Sequence, residues 1–179
     1  MKYRKLGKSG IKVSEIGFGA WVIGLDWWGK KIDDDDAIRL LKRAYDLGIN
    51  FYETADMYGK GKSEKMIAQV FKDMRNEVVY STKWGYDMYS AEQIEHNEIH
   101  QKHNYEFLAY ALQQSMERLH TDYIDVYSLH NPKMDAITND KLFTSLDNLV
   151  QEGKIKSHGV ALGPAIGWKD EGLLAIEKR

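Results

Sequence analysis

Residues 49–83 read INFYETADMYGKGKSEKMIAQVFKDMRNEVVYSTK, and their patterning decides the fold. Two runs rich in β-branched and aromatic residues, Ile49–Ala55 and Val78–Lys83, have the composition of strands. Between them Met66, Ile67, Val70, Phe71 and Met74 recur at helical spacing, with Ser63 placed to cap that helix. The unit is therefore strand, helix, strand. Toward the N-terminus, Ala37, Leu40, Leu41, Ala44 and Leu47 share one helical face. Asp33–Asp36 suit the positive end of that helix, and Gly48 is placed to end it. Ile16–Trp21 reads as a strand before it, and residues 2–15 alternate around Gly7 and Gly10 like a small β-hairpin.

Toward the C-terminus a polar loop over 84–103 precedes a helical face of Phe107, Leu108, Ala111, Leu112, Met116 and Leu119. Tyr123–Leu129 is the next strand, and Leu142, Leu146, Leu149 and Val150 mark a helix ended by Gly153. Ile155–Leu162 is a further strand, and residues beyond it begin another helix. About five βα units in succession require a parallel α/β fold. An open doubly wound sheet and a (β/α)8 barrel both satisfy that order. The glycine-rich stretches Ile16–Trp21 and Gly59–Ser63 lack the third glycine of the dinucleotide fingerprint and the P-loop spacing respectively, which weighs against a nucleotide-binding doubly wound fold.

Composition narrows the function. The 179 residues suit one domain, and 43% hydrophobic content supplies a packed core. Lys and Arg total 25 against 27 for Asp and Glu, which argues against a nucleic-acid partner held by net positive charge. With no cysteine, disulfides, thiolate metal sites and cysteine nucleophiles are excluded, and a reducing compartment fits. The N-terminus has no apolar signal core, and no apolar run approaches the roughly 18 residues of a membrane span. A cytoplasmic chain with no membrane partner is expected.

In parallel α/β folds functional side chains gather at the C-terminal ends of strands. Those ends carry Trp21, then Glu53 to Tyr58, then Lys83 and Trp84, then Ser128, His130 and Asn131. A carboxylate, a phenol, an ammonium and an imidazole facing one space could move a proton onto a carbonyl oxygen. An ammonium beside the tyrosine would lower its pKa toward neutrality, a carboxylate would hold the lysine, and a histidine could orient the substrate oxygen. Each residue also has an ordinary reading as a hydrogen-bonded strand end or edge charge; their coincidence at successive strand ends carries the argument.

The stretch Asn50-Phe51-Tyr52-Glu53-Thr54-Ala55-Asp56-Met57-Tyr58-Gly59 resembles the aldo-keto reductase pattern F-D-T-A-x-x-Y-G, followed by Lys62-Ser63-Glu64. Ser81–Gly85 is similar to the family's strand-three lysine motif, and Leu119–Pro132 resembles its L-x-x-D-Y-I-D-L-x-x-x-H-x-P signature. The resemblance runs over essentially the whole chain. It implies a (β/α)8 TIM-type barrel that reduces aldehydes or ketones with NADPH, NADH being the alternative. By the same implication Tyr58 is the general acid, Lys83 lowers its pKa, His130 orients the carbonyl, and Glu53 is the paired carboxylate. Glu53, Lys83 and Asn131 would face the cofactor, while Trp21 and Trp84, with Tyr58 and His130, would line the pocket of a small carbonyl substrate.

Three departures qualify that picture. Glu53 stands where the family has aspartate, and its extra methylene displaces the carboxylate unless the backbone compensates. Gly159-Val160-Ala161-Leu162 stands where the strand-five motif usually reads G-V-S-N, so Ala161 and Leu162 cannot hold the nicotinamide carboxamide through side chains. The family has eight βα units and the chain carries about five, which suggests one domain, residues 1–179, that is a C-terminally incomplete barrel. Such an arc leaves a strand edge to be covered, and homo-oligomers are one solution. His96, His100 and His103 are spaced for one helical face, but not in the H-E-x-x-H order, and no metal site is expected. A cofactor-sensing regulatory module of the same fold, as in potassium-channel β-subunits, and an inactive fragment are the competing functional readings.

Overall fold

The computed structural model describes residues 1–25, 32–90, 99–163 and 167–179. Strands β1 (Tyr3–Lys5) and β2 (Lys12–Ser14) pair antiparallel, giving the expected hairpin. The main sheet has five parallel strands: β3 (Phe18–Gly19), β4 (Phe51–Glu53), β5 (Val79–Trp84), β6 (Ile124–His130) and β7 (Ile155–Ala161). They lie side by side in chain order. A doubly wound sheet reverses its strand order at a switch point, and this one does not, so the architecture is the barrel type.

Helices alternate with these strands: α1 (Trp21–Gly24), α2 (Asp34–Asp46), α3 (Lys62–Phe71), α4 (Tyr105–Leu119), α5 (Met134–Thr138), α6 (Asp140–Gln151) and α7 (Lys169–Lys178). Asp33 caps α2 by accepting from the Asp36 amide at 2.7 Å, and Asn104 and Asn139 cap α4 and α6 in the same way. The expected cap at Ser63 is corrected: α3 starts after Gly61, with no side-chain cap, because the Ser63 hydroxyl is committed elsewhere. Only Ala37, Leu41 and Ala44 of α2 are buried, while Leu40 and Leu47 are exposed; the contacting stripe is narrower than the sequence spacing implied. The expected first strand is shortened to β3, since Trp21 opens α1.

Alternation along the strands sorts side chains onto two faces. Outward residues Tyr52, Tyr80, Trp84, Tyr127 and Leu129 form the main core with Phe71, Leu108, Leu112 and Leu146 of the helices. Inward residues Val79 and Val126 pack with Ile11 and Val13 of the hairpin, so the hairpin plugs the N-terminal end of the arc. Toward the opposite end the inward positions include Glu53, Lys83, Ser128 and His130. Among the described residues no helix is long and apolar enough to cross a membrane.

Candidate active site

The turn after β4 delivers the first of the polar side chains. Its amides pair with β5, Thr54 N donating to Ser81 O at 2.8 Å and Asp56 N to Lys83 O at 3.2 Å. Ser63, fully buried, accepts from Thr54 Oγ1 at 2.8 Å and donates to Ala20 O at 2.9 Å, tying α3 to the ends of β3 and β4. Gly24 of α1 lies so close to the Tyr58 turn that a Cβ there would collide with the Tyr58 carbonyl. Neighbouring Glu64 is also buried; it accepts from Thr82 Oγ1 at 2.7 Å and from Arg118 Nε at 2.6 Å, fastening α3 to β5 and α4. These contacts fix where Tyr58 stands. Asp56, on the same turn, is fully buried, and burial followed by Glu64 pushes its carboxyl well above the usual range.

The structure brings Glu53, Tyr58, Lys83 and His130 together. The Lys83 ammonium donates to the Glu53 carboxylate, to Thr54 O at 2.7 Å and to the Tyr58 hydroxyl at 2.9 Å. Glu53 thus reaches the lysine despite its longer side chain. His130 presents its ring edge-on to Tyr58, with centroids 5.8 Å apart. Burial pushes the Lys83 ammonium down to about 7, against the pull of the adjacent carboxylate, which favours the charged form. Burial, then the Lys83 charge and His103, pushes His130 down to about 3, so its imidazole is neutral. Burial, with Tyr86 beside it, raises the Tyr58 hydroxyl above its ordinary value. That corrects the expectation of a lowered phenol: in the arc as it stands, loss of water outweighs the cation.

Trp21, half-buried, opens α1, separated by one residue from the end of β3. Trp84 is a correction. It lies on the opposite face of β5 from Lys83, fully buried, stacked on Tyr127 with centroids 6.1 Å apart and packed against Phe107 and His103. A core ring of this kind cannot line a substrate pocket. Asn131 follows β6 with φ 49°, and its Nδ2 donates to the Tyr86 hydroxyl at 3.0 Å. Tyr86 is a site residue the sequence reading missed: its ring meets His130 edge-on at 5.0 Å. Its position three residues after Lys83, an aromatic just past a strand end, was the available signal. His96 lies outside the described residues; His100 is exposed and His103 half-buried. Among the described residues no group of three or more His, Asp or Glu is placed to hold a metal ion.

A parallel sheet in barrel order, with a tyrosine, a lysine, a carboxylate and a histidine meeting at its strand ends, defines a class of (β/α)8-barrel proteins. The aldo/keto reductase family pattern matches residues 15–166, and the chain belongs to that family. It is 31% identical over 163 residues to an aldo-keto reductase, YhdN, of Bacillus subtilis, covering 90% of this chain and 47% of that protein. It is 36% identical over 143 residues to a probable voltage-gated potassium channel subunit beta of Oryza sativa subsp. japonica, covering 77% of this chain and 39% of that one. The holo form of an aldo-keto reductase from Bacillus halodurans superposes with a TM-score of 0.80 at 31% identity, over 95% of this chain and 53% of that one. The chain thus spans about half the length of the relatives it matches, or less, and its sheet is an arc of their barrel.

The family implies a nicotinamide cofactor, and the inner wall of β7 suits a flat ring. Ser157, Gly159 and Ala161 face inward beside Val126, Ser128 and His130, and a Cβ at Gly159 would come within 3.2 Å of Ser128 Oγ. At the end of this wall Ala161, and Leu162 just past it, carry no polar side-chain atom, so neither can hold such a ring through its side chain.

Proposed function

We propose that this chain carries the proton-transfer site of a carbonyl reductase that converts aldehydes or ketones to alcohols, with NADPH as reductant and NADH as the alternative. In this reading residues 1–179 are one domain that contributes five of the barrel's eight βα units. A bound nicotinamide supplies the hydride that goes to the carbonyl carbon. The protein supplies the rest. The Tyr58 hydroxyl gives its proton to the carbonyl oxygen, and the Lys83 ammonium, held by Glu53 and Thr54 O, stabilises the phenolate that remains. Neutral His130 offers an N–H to the same oxygen and adds no competing charge. Trp21, after β3, and Tyr86, edge-on to His130, are the rings to line the substrate pocket, and Asn131 and the β7 wall are the groups for the cofactor. The observation that carries the reading is the 2.9 Å contact from Lys83 to the Tyr58 hydroxyl, in a cluster closed by Glu53 and His130.

The test is NADPH consumption with a panel of small aldehydes and ketones in an active, full-length context, where the barrel is complete, beside Tyr58→Phe. The variant is expected to lose about 100-fold or more in turnover, the size of a general-acid contribution, with cofactor binding nearly unchanged. Turnover within tenfold of the parent would remove Tyr58 from the role, and no turnover by the parent would overturn the reading. A second reading, a cofactor-sensing module, is favoured by the apolar Ala161 and Leu162; it is distinguished by NADPH binding, seen in fluorescence titration, without turnover.

A further inference from the structure

The two ends of the connection after β5 are cinched together above the site. Tyr86 and Gln101 form an isolated antiparallel bridge, Asp87 N donates to His100 O at 2.8 Å, and Lys102 N donates to Gly85 O at 2.7 Å. Lys102 also pairs with Asp87 at 2.5 Å. From this clamp the Gln101 side chain reaches across to the end of β6. Its Nε2 donates to His130 O at 3.1 Å and to Asn131 O at 2.8 Å, engaging both hydrogens of the amide on successive carbonyls.

That turn needs holding. Asn131 sits in the left-handed region at φ 49°, uncommon for a residue with a side chain. Its amide donates to Ala161 O at 2.7 Å and its Nδ2 to the Tyr86 hydroxyl, so β7 and the clamp grip it from two sides. The His130 ring has no such anchor at Nδ1, which is buried without a hydrogen-bond partner. Its neighbours are the edges of Tyr58 and Tyr86, with Lys83 and His103 the charged or titratable groups that act on it. The ring's orientation is inherited from its backbone.

We propose that Gln101 is a positioning residue for His130: by bridging the carbonyls of His130 and Asn131 it fixes the turn that aims the imidazole into the site. Its effect on reduction rests on the function proposed above; its effect on the ring does not. The decisive measurement is long-range proton–nitrogen NMR of the His130 imidazole between pH 5 and 8, in the parent chain, Gln101→Ala and Gln101→Glu. The last keeps the side-chain shape and loses both donors. The parent is expected to show one neutral tautomer throughout, whereas both variants average tautomers and begin to take up a proton above pH 5. In kinetics both variants should lose roughly tenfold in kcat, a fraction of the penalty for a misplaced catalytic group, with KM within twofold. Unchanged His130 signals in folded Gln101→Glu, or in folded Gln101→Ala if the other variant fails to fold, overturn the proposal. If the parent reduces no carbonyl, the functional reading falls while the NMR comparison still decides the role of Gln101.

Discussion

The Lys83 ammonium stands 2.9 Å from the Tyr58 hydroxyl and 4.4 Å from the centroid of the same ring, so one cation touches both the oxygen and the face of the phenol. Contact with the oxygen favours phenolate, and contact with the face holds the ring without altering its charge. Burial works against both ions. The acidity of Tyr58 in this site therefore follows the protonation of Lys83, which burial has already brought down to about 7.

A pH dependence follows from that coupling. Below about 7 Lys83 is charged and supports phenolate formation; above it the support is lost. Carbonyl reduction is expected to fall as pH rises through about 7, by up to about tenfold per unit. A kcat profile that stays flat from pH 6 to 9 contradicts the coupling.

Two neutral imidazoles, His130 buried and His103 half-buried, make the fold acid-sensitive. Burial pushes His130 down to about 3 and His103 to about 4, while an unfolded histidine takes up its proton near 6.5. As pH falls below about 6.5 the unfolded chain gains protons that the folded one refuses, so stability declines until the folded values are reached. Each ring contributes at most about 1.4 kcal/mol per pH unit. Urea midpoints at pH 7, 5.5 and 4.5 should fall in that order, and less steeply in His103→Gln. Equal midpoints would show that the rings are not buried as described.

Asp125 anchors the far end of the sheet. Its carboxylate, 1% exposed, accepts from Arg75 at 2.7 Å, from Lys156 at 2.7 Å and from the Tyr80 amide at 2.9 Å. Arg75 is itself sandwiched against the rings of Tyr80 and Tyr123. Asp125→Ala leaves the largely buried Arg75 guanidinium without its carboxylate, though still bonded to Thr121 Oγ1, Val78 O and Tyr123 O, and should cost about 3 kcal/mol, in the range for breaking a buried pair. A loss below about 1 kcal/mol in urea unfolding would mean that water reaches Arg75 readily.

Self-association is expected of the 179-residue chain. Among the described strands of the main sheet, β3 and β7 each pair with one neighbour, leaving ladder groups open at both edges. Leu162 beyond β7 and Leu173 and Ile176 on α7 are exposed at 42%, 58% and 85%. Light scattering across a concentration series should show mass rising above the monomer. A monodisperse monomer at every concentration would show that the edges are blunted.

Much of the site was readable because it lies in short ordered motifs. The run from Glu53 to Gly59, the lysine one residue before the end of β5 and the histidine ending β6 lie at strand ends, and periodicity locates strand ends without any long-range information. Strand alternation even held the answer for Trp84: an inward Lys83 puts its neighbour on the other face. Gln101 had no comparable signal, and Tyr86 only its place just past a strand end. They belong to a connection without periodicity, and what places them is the bridge between them and the carbonyls they meet.

The sequence by itself determined the βα alternation, the hairpin and the residues that could exchange a proton, because these rest on local spacing and residue chemistry. Tertiary structure alone decided the strand order that distinguishes a barrel arc from a doubly wound sheet, since both arise from the same succession of elements. It also decided that Ser63 binds two strand ends rather than capping a helix, and that Tyr58 is raised rather than lowered. Hydroxyl partners and pKa values depend on which groups are brought near and how much water is removed, and both are settled only when distant segments pack.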